Sequence, residues 1–439
     1  MNVSRTSAEL TRPTIDVSVM THPDNPAEAL ALAQALVPVF ADRAAEHDSA
    51  GVFPEADFAD LRATGLLGLM VPPRLGGPGA SFAEYAEVAM TLAAGNGATA
   101  LIYNMHASVT GAMAQTPDNL ARVLGVPESY FPARDRVLGA ACEGALYAVA
   151  MSERGAGSRL SAITTTYTPV DGGFRINGSK AFVSGAGFAD AYLVAAKAES
   201  GASAGSGASA GSNASGGSGA SAGTGNDAEA KVSHFLVPAG PGVTVDQTWD
   251  SLGMRATGSQ DVHFDVVVGP EALLGGLEGL TLLLAQTMPQ WLVASYAAVY
   301  VGVAQAAIDA AVAHVTERDL GRLPAVRARI GRADAAVAAA RLAVLEAARR
   351  VDVAPGDADT NRWVWRAKLL AGTTAMEVAA SMLEAAGTAA SRRGHPLERL
   401  YRDSRCGSLQ PATSDVCADW LGVAALGGDP YGDAAVARW

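Results

Sequence analysis

The side chains in this sequence that could move a proton or grip an anion gather in four short stretches. SRRGHPLERLYRDSR, residues 391–405, is crowded with charge, yet its tightest bend, Arg393-Gly394-His395-Pro396, carries no carboxylate. His395 is the residue of that bend with an ordinary pKa suited to accepting a proton near neutrality, although its ring could equally cap the loop. Glu398 sits among arginines and reads as an ion-pair partner. SERGAGSRL, residues 152–160, is a Gly/Ser-rich loop whose amides and hydroxyls suit a phosphate or a planar cofactor. It lacks the strand-then-helix setting of a dinucleotide fingerprint, and taken alone it is an ordinary turn. KAFVSG, 180–185, and LGMRATGS, 252–259, add Phe182, Ser184, Arg255, Thr257 and Ser259. Taken alone, Phe182 reads as core packing and the second stretch as a solvated loop between strands.

Groups so scattered need a large scaffold to bring them together. The 439 residues are too many for one small core and suggest two or three regions. A composition 49% hydrophobic and 17% charged is that of a globular chain, and a net charge of −12 argues against a nucleic-acid surface. Cys142, Cys406 and Cys417 lack the spacing of a zinc site and are too sparse for a disulfide scaffold, so a reducing compartment, the cytoplasm by default, is the expectation. The histidines form no ligand pair at metal spacing, and no metal is expected. Residues 1–25 lack an apolar signal-like run and read as a disordered polar lead-in. Between Glu278 and Asp309 no residue is charged, but Gln286, Pro289, Gln290 and Gln305 interrupt the run. It reads as a buried core helix, with no membrane insertion.

Periodicity divides the rest. Residues 26–145 are helical, with Leu30, Ala33, Leu36, Val37 and Phe40 at three- and four-residue intervals. Residues 146–270 change to short strands, with a hairpin expected at Asn177-Gly178. Inside them a Gly/Ser/Ala tract, 200–230, cannot bury enough apolar surface to order itself and reads as a flexible loop between two strands. Residues 271–439 return to helices, one of them stopping at Gly387. The fold class is α+β: helices, a small β region, then a helical bundle.

The order MSERGAGSRL, DGGFRINGSKAFVSGAGFAD, WDSLGMRATGSQDVHFDVVVGPEALLG and an apolar helix, preceded by TGLLGLMVPPRLGG and NMHASV, resembles the acyl-CoA dehydrogenase superfamily of flavoproteins over about residues 26–425. The resemblance implies an N-terminal helical domain, a middle β-barrel-like domain and a C-terminal four-helix bundle, with FAD between the last two and a neighbouring subunit of a homodimer or homotetramer. It implies cofactor contacts from Met151, Ser152, Ser158, Phe182, Val183 and Ser184, with the Ser184 hydroxyl at the flavin N5. Substrate contacts are implied for Ser158 and Arg255, and for Arg318 a reach to a partner's FAD pyrophosphate. Arg154 and Arg159 replace the family's proline and aspartate, the second reversing charge where relatives meet the substrate's carrier.

Such enzymes oxidise the CH–CH bond of an acyl thioester, a step of lipid metabolism: a carboxylate takes the alpha proton, hydride passes to flavin, and an electron acceptor reoxidises it. The resemblance puts that glutamate either before an aromatic-Pro pair, where Gly394 stands, or ten residues before Gly302-Val303-Ala304-Gln305, where Leu292 stands. No acid occurs between Gly279 and Ile308. His395, Glu384 and His106 are the substitute candidates. An acyl-CoA dehydrogenase-type enzyme is therefore expected. The alternative is a monooxygenase on the same fold, fed by a supplier of reduced flavin and needing no alpha-proton acceptor; a flavin-free scaffold is a third reading.

Overall fold

The computed structural model describes residues 22–199, 231–291 and 294–431. The lead-in up to residue 21, the Gly/Ser/Ala tract and Leu292 lie outside the described residues. Six helices come first: α1 (Pro26–Ala50), α2 (Glu55–Ala63), α3 (Phe82–Gly95), α4 (Gly97–Gln115), α5 (Asp118–Val123) and α6 (Tyr130–Cys142). Seven strands follow: β1 (Tyr147–Ala150), β2 (Thr166–Val170), β3 (Gly173–Val183), β4 (Ala191–Ala198), β5 (Val232–Pro238), β6 (Val243–Asp246) and β7 (Gln260–Val268). The chain then returns to helices: α7 (Leu280–Thr287), α8 (Ala294–Glu317), α9 (Pro324–Val353), α10 (Ala358–Ala386), α11 (Pro396–Leu409) and α12 (Ser414–Ala425).

Local chemistry sets the helix ends. Asn25 caps α1 by accepting from the Glu28 amide, and Gly51 closes it in the left-handed region at φ 65°. Ser81 and Glu84 form a reciprocal capping box on α3. Asp357 accepts from the amides of Asp359 and Thr360 to start α10, which stops at Gly387.

The strands form one curled sheet in the order β1-β4-β2-β3-β7-β6, with β5 on the other side of β4. The hairpin expected at Asn177-Gly178 is not there. Both residues lie inside β3, paired with Asp265 and Phe264 of β7, and the turn falls earlier, at Asp171-Gly172 between β2 and β3. Asp-Gly serves such a turn as well as Asn-Gly, and Gly172 supplies the positive φ, 81°. Gly178 answers a different need, since a Cβ there would stand 2.5 Å from the Thr165 Oγ1. On either side of the Gly/Ser/Ala tract, β4 and β5 pair antiparallel from Lys197↔Val232 to Ala191↔Pro238.

Helices from both ends of the chain share one core: Ala33, Phe40, Met90, Val303, Val344 and Val378 belong to a single buried cluster, while Tyr167, Val194, Phe235 and Val262 fill the inside of the sheet. α8 runs through the middle, packed by α3, α4, α9, α10 and α11. It is long and apolar enough to cross a membrane, and 75% of its most apolar stretch is buried inside the protein. Gly302 permits the closest approach: a Cβ there would meet the Met90 carbonyl oxygen at 2.2 Å.

Candidate functional site

Near the end of β3 the ladder to β7 breaks between Lys180 and Val183, and this irregularity turns one side chain outward. Phe182 takes a left-handed backbone, φ 58°, and leaves 57% of its surface exposed, so it does not pack in the core. The edge of its ring meets Trp249, centroids 6.2 Å apart at 89°. Val183 is buried, and Ser184 follows with only 7% exposure.

Behind Ser184 runs a chain of buried hydroxyls. Ser184 Oγ lies 2.9 Å from Ser259 Oγ, Ser259 Oγ lies 2.7 Å from Thr257 Oγ1, and Thr257 Oγ1 donates to the Met254 carbonyl at 2.9 Å. The Gly185 amide donates to the Thr257 carbonyl at 2.8 Å, tying the two loops together. Met254 is also left-handed, φ 53°, a conformation costing about 1–2 kcal/mol outside glycine. It is held by Asp403 of α11, which accepts from the Met254 amide at 2.6 Å and pairs with Arg399 at 3.3 Å. Burial lifts the Asp403 carboxyl above the usual range against the opposing charge of Arg399. Strained residues therefore stand on both sides of the hydroxyl chain, a pattern common at functional sites.

The 152–158 loop is fastened to the same strand. The Ser152 carbonyl accepts from the Ala181 amide at 2.9 Å, and the Met151 carbonyl from the Lys180 ammonium at 3.2 Å. Buried Glu153 accepts from Lys180 at 2.8 Å and from the amides of Thr164 and Thr165 at 2.6 and 3.0 Å. Burial pushes its carboxyl up, but Lys180, Thr164 and Thr165 outweigh this and hold it at about 2. Burial also pushes Lys180 down to about 8 against the pull of Glu153. Ser158 is half-buried. Arg154 pairs with Asp261 at 2.5 Å, and Arg159 reaches the Ala156 carbonyl at 3.3 Å.

The substitute bases are all otherwise engaged. His106 is buried, its Nε2 2.7 Å from the Leu67 carbonyl and its Nδ1 accepting from the Tyr147 amide at 3.1 Å. Burial lowers its pKa to about 4, so both ring nitrogens of the neutral form are committed. His395 caps α11, accepting from the Leu397 amide at Nδ1, while its Nε2 lies 3.2 Å from His314 Nδ1. Glu384 pairs with Arg329 at 2.6 Å, and Glu398 with Arg402 at 2.7 Å. Arg255 is not free for a substrate either, since it binds the Asp48 and Ser251 carbonyls and Asp250. Arg318 is exposed at the end of α8.

Gly394 precedes His395, whose ring lies against His314 near the C-terminal end of α8. α11 runs antiparallel to α8, so the loop after α11 comes back along it, with Tyr300 donating to Gln410 at 2.7 Å. Gln410, Pro411, Ala412 and Thr413 carry no carboxylate. The charged Arg-Asp frame holds α1 and the Met254 loop, through Arg402 to Asp48 and Asp403 to Met254.

Three family models match the chain: acyl-CoA dehydrogenase, N-terminal domain, over residues 31–116; middle domain, over 148–267; and C-terminal domain, over 285–419. The chain is 30% identical to the L-evernosamine nitrososynthase of Micromonospora sp., covering 91% of this chain and 90% of that protein. It is 28% identical to the benzylmalonyl-CoA dehydrogenase of Aromatoleum aromaticum, covering 86% and 91%. The FMN-bound structure of TdsC from Paenibacillus sp. A11-2 superposes with a TM-score of 0.74 at 26% identity, covering 91% of this chain and 97% of the other. The residues here fit a flavin. An aromatic ring left exposed on strained backbone offers a flat apolar face, and a nearly buried hydroxyl two residues on offers a polar handle.

Proposed function

Because the chain belongs to the acyl-CoA dehydrogenase superfamily of flavin-dependent oxidoreductases, we propose that it is the kind of member that oxygenates: a reduced-flavin-dependent monooxygenase acting on a small molecule at an electron-rich nitrogen or sulfur. The observation that carries this reading is that the candidate bases are engaged, His106 with Leu67 and Tyr147, Glu384 with Arg329 and Glu398 with Arg402, while Gly394 and Gln410 to Thr413 carry no carboxylate. An amine or thioether offers a lone pair directly, and no such proton has to leave.

In this reading bound flavin supplies two electrons to dioxygen, one oxygen atom going to the substrate and the other leaving as water. The chain's own residues do the positioning. Phe182 presents its ring, Met151, Ser152, Ser158 and Val183 frame the cofactor, and Ser184 addresses N5. FAD and FMN both suit this frame; FAD is our choice, because Arg318 is exposed, makes no ion pair among the described residues, and has the planar donors that suit a second phosphate. A flavin reductase would supply the reduced cofactor. The nitrososynthase relative supports this reading by its name, as does the likeness to TdsC, which is titled a dibenzothiophene monooxygenase.

Oxidation of an acyl thioester is the second reading, supported by identity to the benzylmalonyl-CoA dehydrogenase. One pair of spectra separates the two. Anaerobic addition of an acyl-CoA panel should leave the flavin yellow, and supplying reduced flavin in air should give substrate-dependent oxygen uptake. Bleaching of bound flavin by any acyl-CoA would overturn the monooxygenase reading in favour of the dehydrogenase.

A further inference from the structure

The buried hydroxyl chain behind Ser184 has a direction. Thr257 has one hydroxyl proton and donates it to the Met254 carbonyl. The 2.7 Å contact with Ser259 must then be filled by the Ser259 proton, and the 2.9 Å contact with Ser184 by the Ser184 proton. Reversing the chain would turn Thr257 away from Met254 and leave two internal hydrogen bonds where there are now three. The terminal acceptor is fixed in place, because the Met254 amide is anchored to Asp403 on a left-handed backbone. Ser184 therefore has no proton left to offer outward and presents only lone pairs.

We infer that Thr257 and Ser259 polarise Ser184 into a hydrogen-bond acceptor, and that the site thereby prefers the reduced flavin. Reduced flavin carries a proton at N5 and is a donor there; oxidised flavin carries a lone pair at N5 and needs a donor. This rests on the flavin reading of the Ser184 site and deepens it: a site tuned in this way takes up reduced cofactor and releases the oxidised form. Thr257 and Ser259 are positioning residues, acting through Ser184.

The test is the midpoint potential of FMN and of FAD bound to the full chain, measured anaerobically by dye equilibration, with dissociation constants for both redox states. Wild type is expected to bind reduced flavin more tightly than oxidised. Thr257→Val keeps the shape of the side chain and lets Ser184 donate. Its ratio of reduced to oxidised affinity should fall by up to about tenfold, a drop of about 30 mV for a two-electron couple. Ser259→Ala should move the same way. In a Ser184→Ala background Thr257→Val should have no effect, an outcome a merely structural role would not give. A Thr257→Val potential equal to wild type, or a shift that persists without Ser184, overturns the polarity. Failure to bind flavin in either state overturns the flavin reading and this inference together. A shifted potential without oxygen transfer removes only the monooxygenase.

Discussion

Glu153 and Lys180 show what single residues contribute beneath the site. Their ammonium–carboxylate contact spans 27 positions of sequence and is buried, and it fixes the 152–158 loop to the strand that carries Phe182 and Ser184. Breaking it leaves a charge without a partner in the interior, which is more damaging than never having had the pair. Glu153→Gln should therefore change the acid limb of stability. The folded pKa of Glu153 lies near 2, below its ordinary 4.5, so its contribution is fully present above pH 4.5 and is lost as pH falls toward 2. Urea melts of wild type from pH 5 to 2.5 should lose roughly 2 kcal/mol that the Gln variant does not lose. Equal slopes in the two proteins would refute the assignment. Each residue was visible in the sequence as part of a separate short stretch. Their pairing was not, because only the strand ladder brings position 180 back to position 153. The hydroxyl chain was hidden for the same reason: Ser184 and Ser259 meet only because β3 and β7 pair.

Periodicity marks the helices and strands of this fold, and the departures from it have a common cause in contacts between elements. Asn177-Gly178 satisfied the local rule for a hairpin, but the residues on both sides pair with β7, and Asp171-Gly172 nearby satisfied the same rule. Likewise the Arg402-Asp403 frame was legible as a unit, while the end of α11 that returns to the Tyr300 level of α8 was not. Sequence fixes a helix's own face far better than the direction in which it crosses a neighbour. Two substitutions probe such crossings. Asp403→Ala removes the acceptor of the buried Met254 amide and the partner of Arg399, and should cost about 3 kcal/mol. Asp403→Asn keeps an acceptor and should cost about 1 kcal/mol. At the α3–α8 contact, Gly302→Ala pushes a methyl group into the Met90 carbonyl and should cost about 2 kcal/mol by overpacking. Chemical denaturation of all three variants checks these values, and a Gly302→Ala protein as stable as wild type would show that the helices can separate at no cost.

For the whole molecule, the grip on a partner or cofactor turns on charge. A chain with a net charge of −12 repels a phosphate-bearing cofactor at long range, so a local cation has to hold the phosphates. Arg318 stands exposed at the end of α8 and makes no ion pair among the described residues, whereas Arg322, four residues on, is paired with Asp319. A planar guanidinium binds phosphate through two parallel donors, a contact of about 1.5–3 kcal/mol. If Arg318 crosses to a neighbouring subunit, Arg318→Ala should weaken FAD binding at least about tenfold. Riboflavin, which has no phosphate, should bind wild type and variant alike. Added salt should weaken FAD binding in wild type more than in the variant, because screening acts on a contact the variant lacks. The same geometry demands that wild-type FAD affinity fall when the protein is diluted below the concentration at which it assembles, as read by light scattering on the same samples. A lone subunit that keeps full FAD affinity, or an Arg318→Ala protein that binds FAD like wild type, would place the phosphates on this chain's own surface and remove the need for a partner.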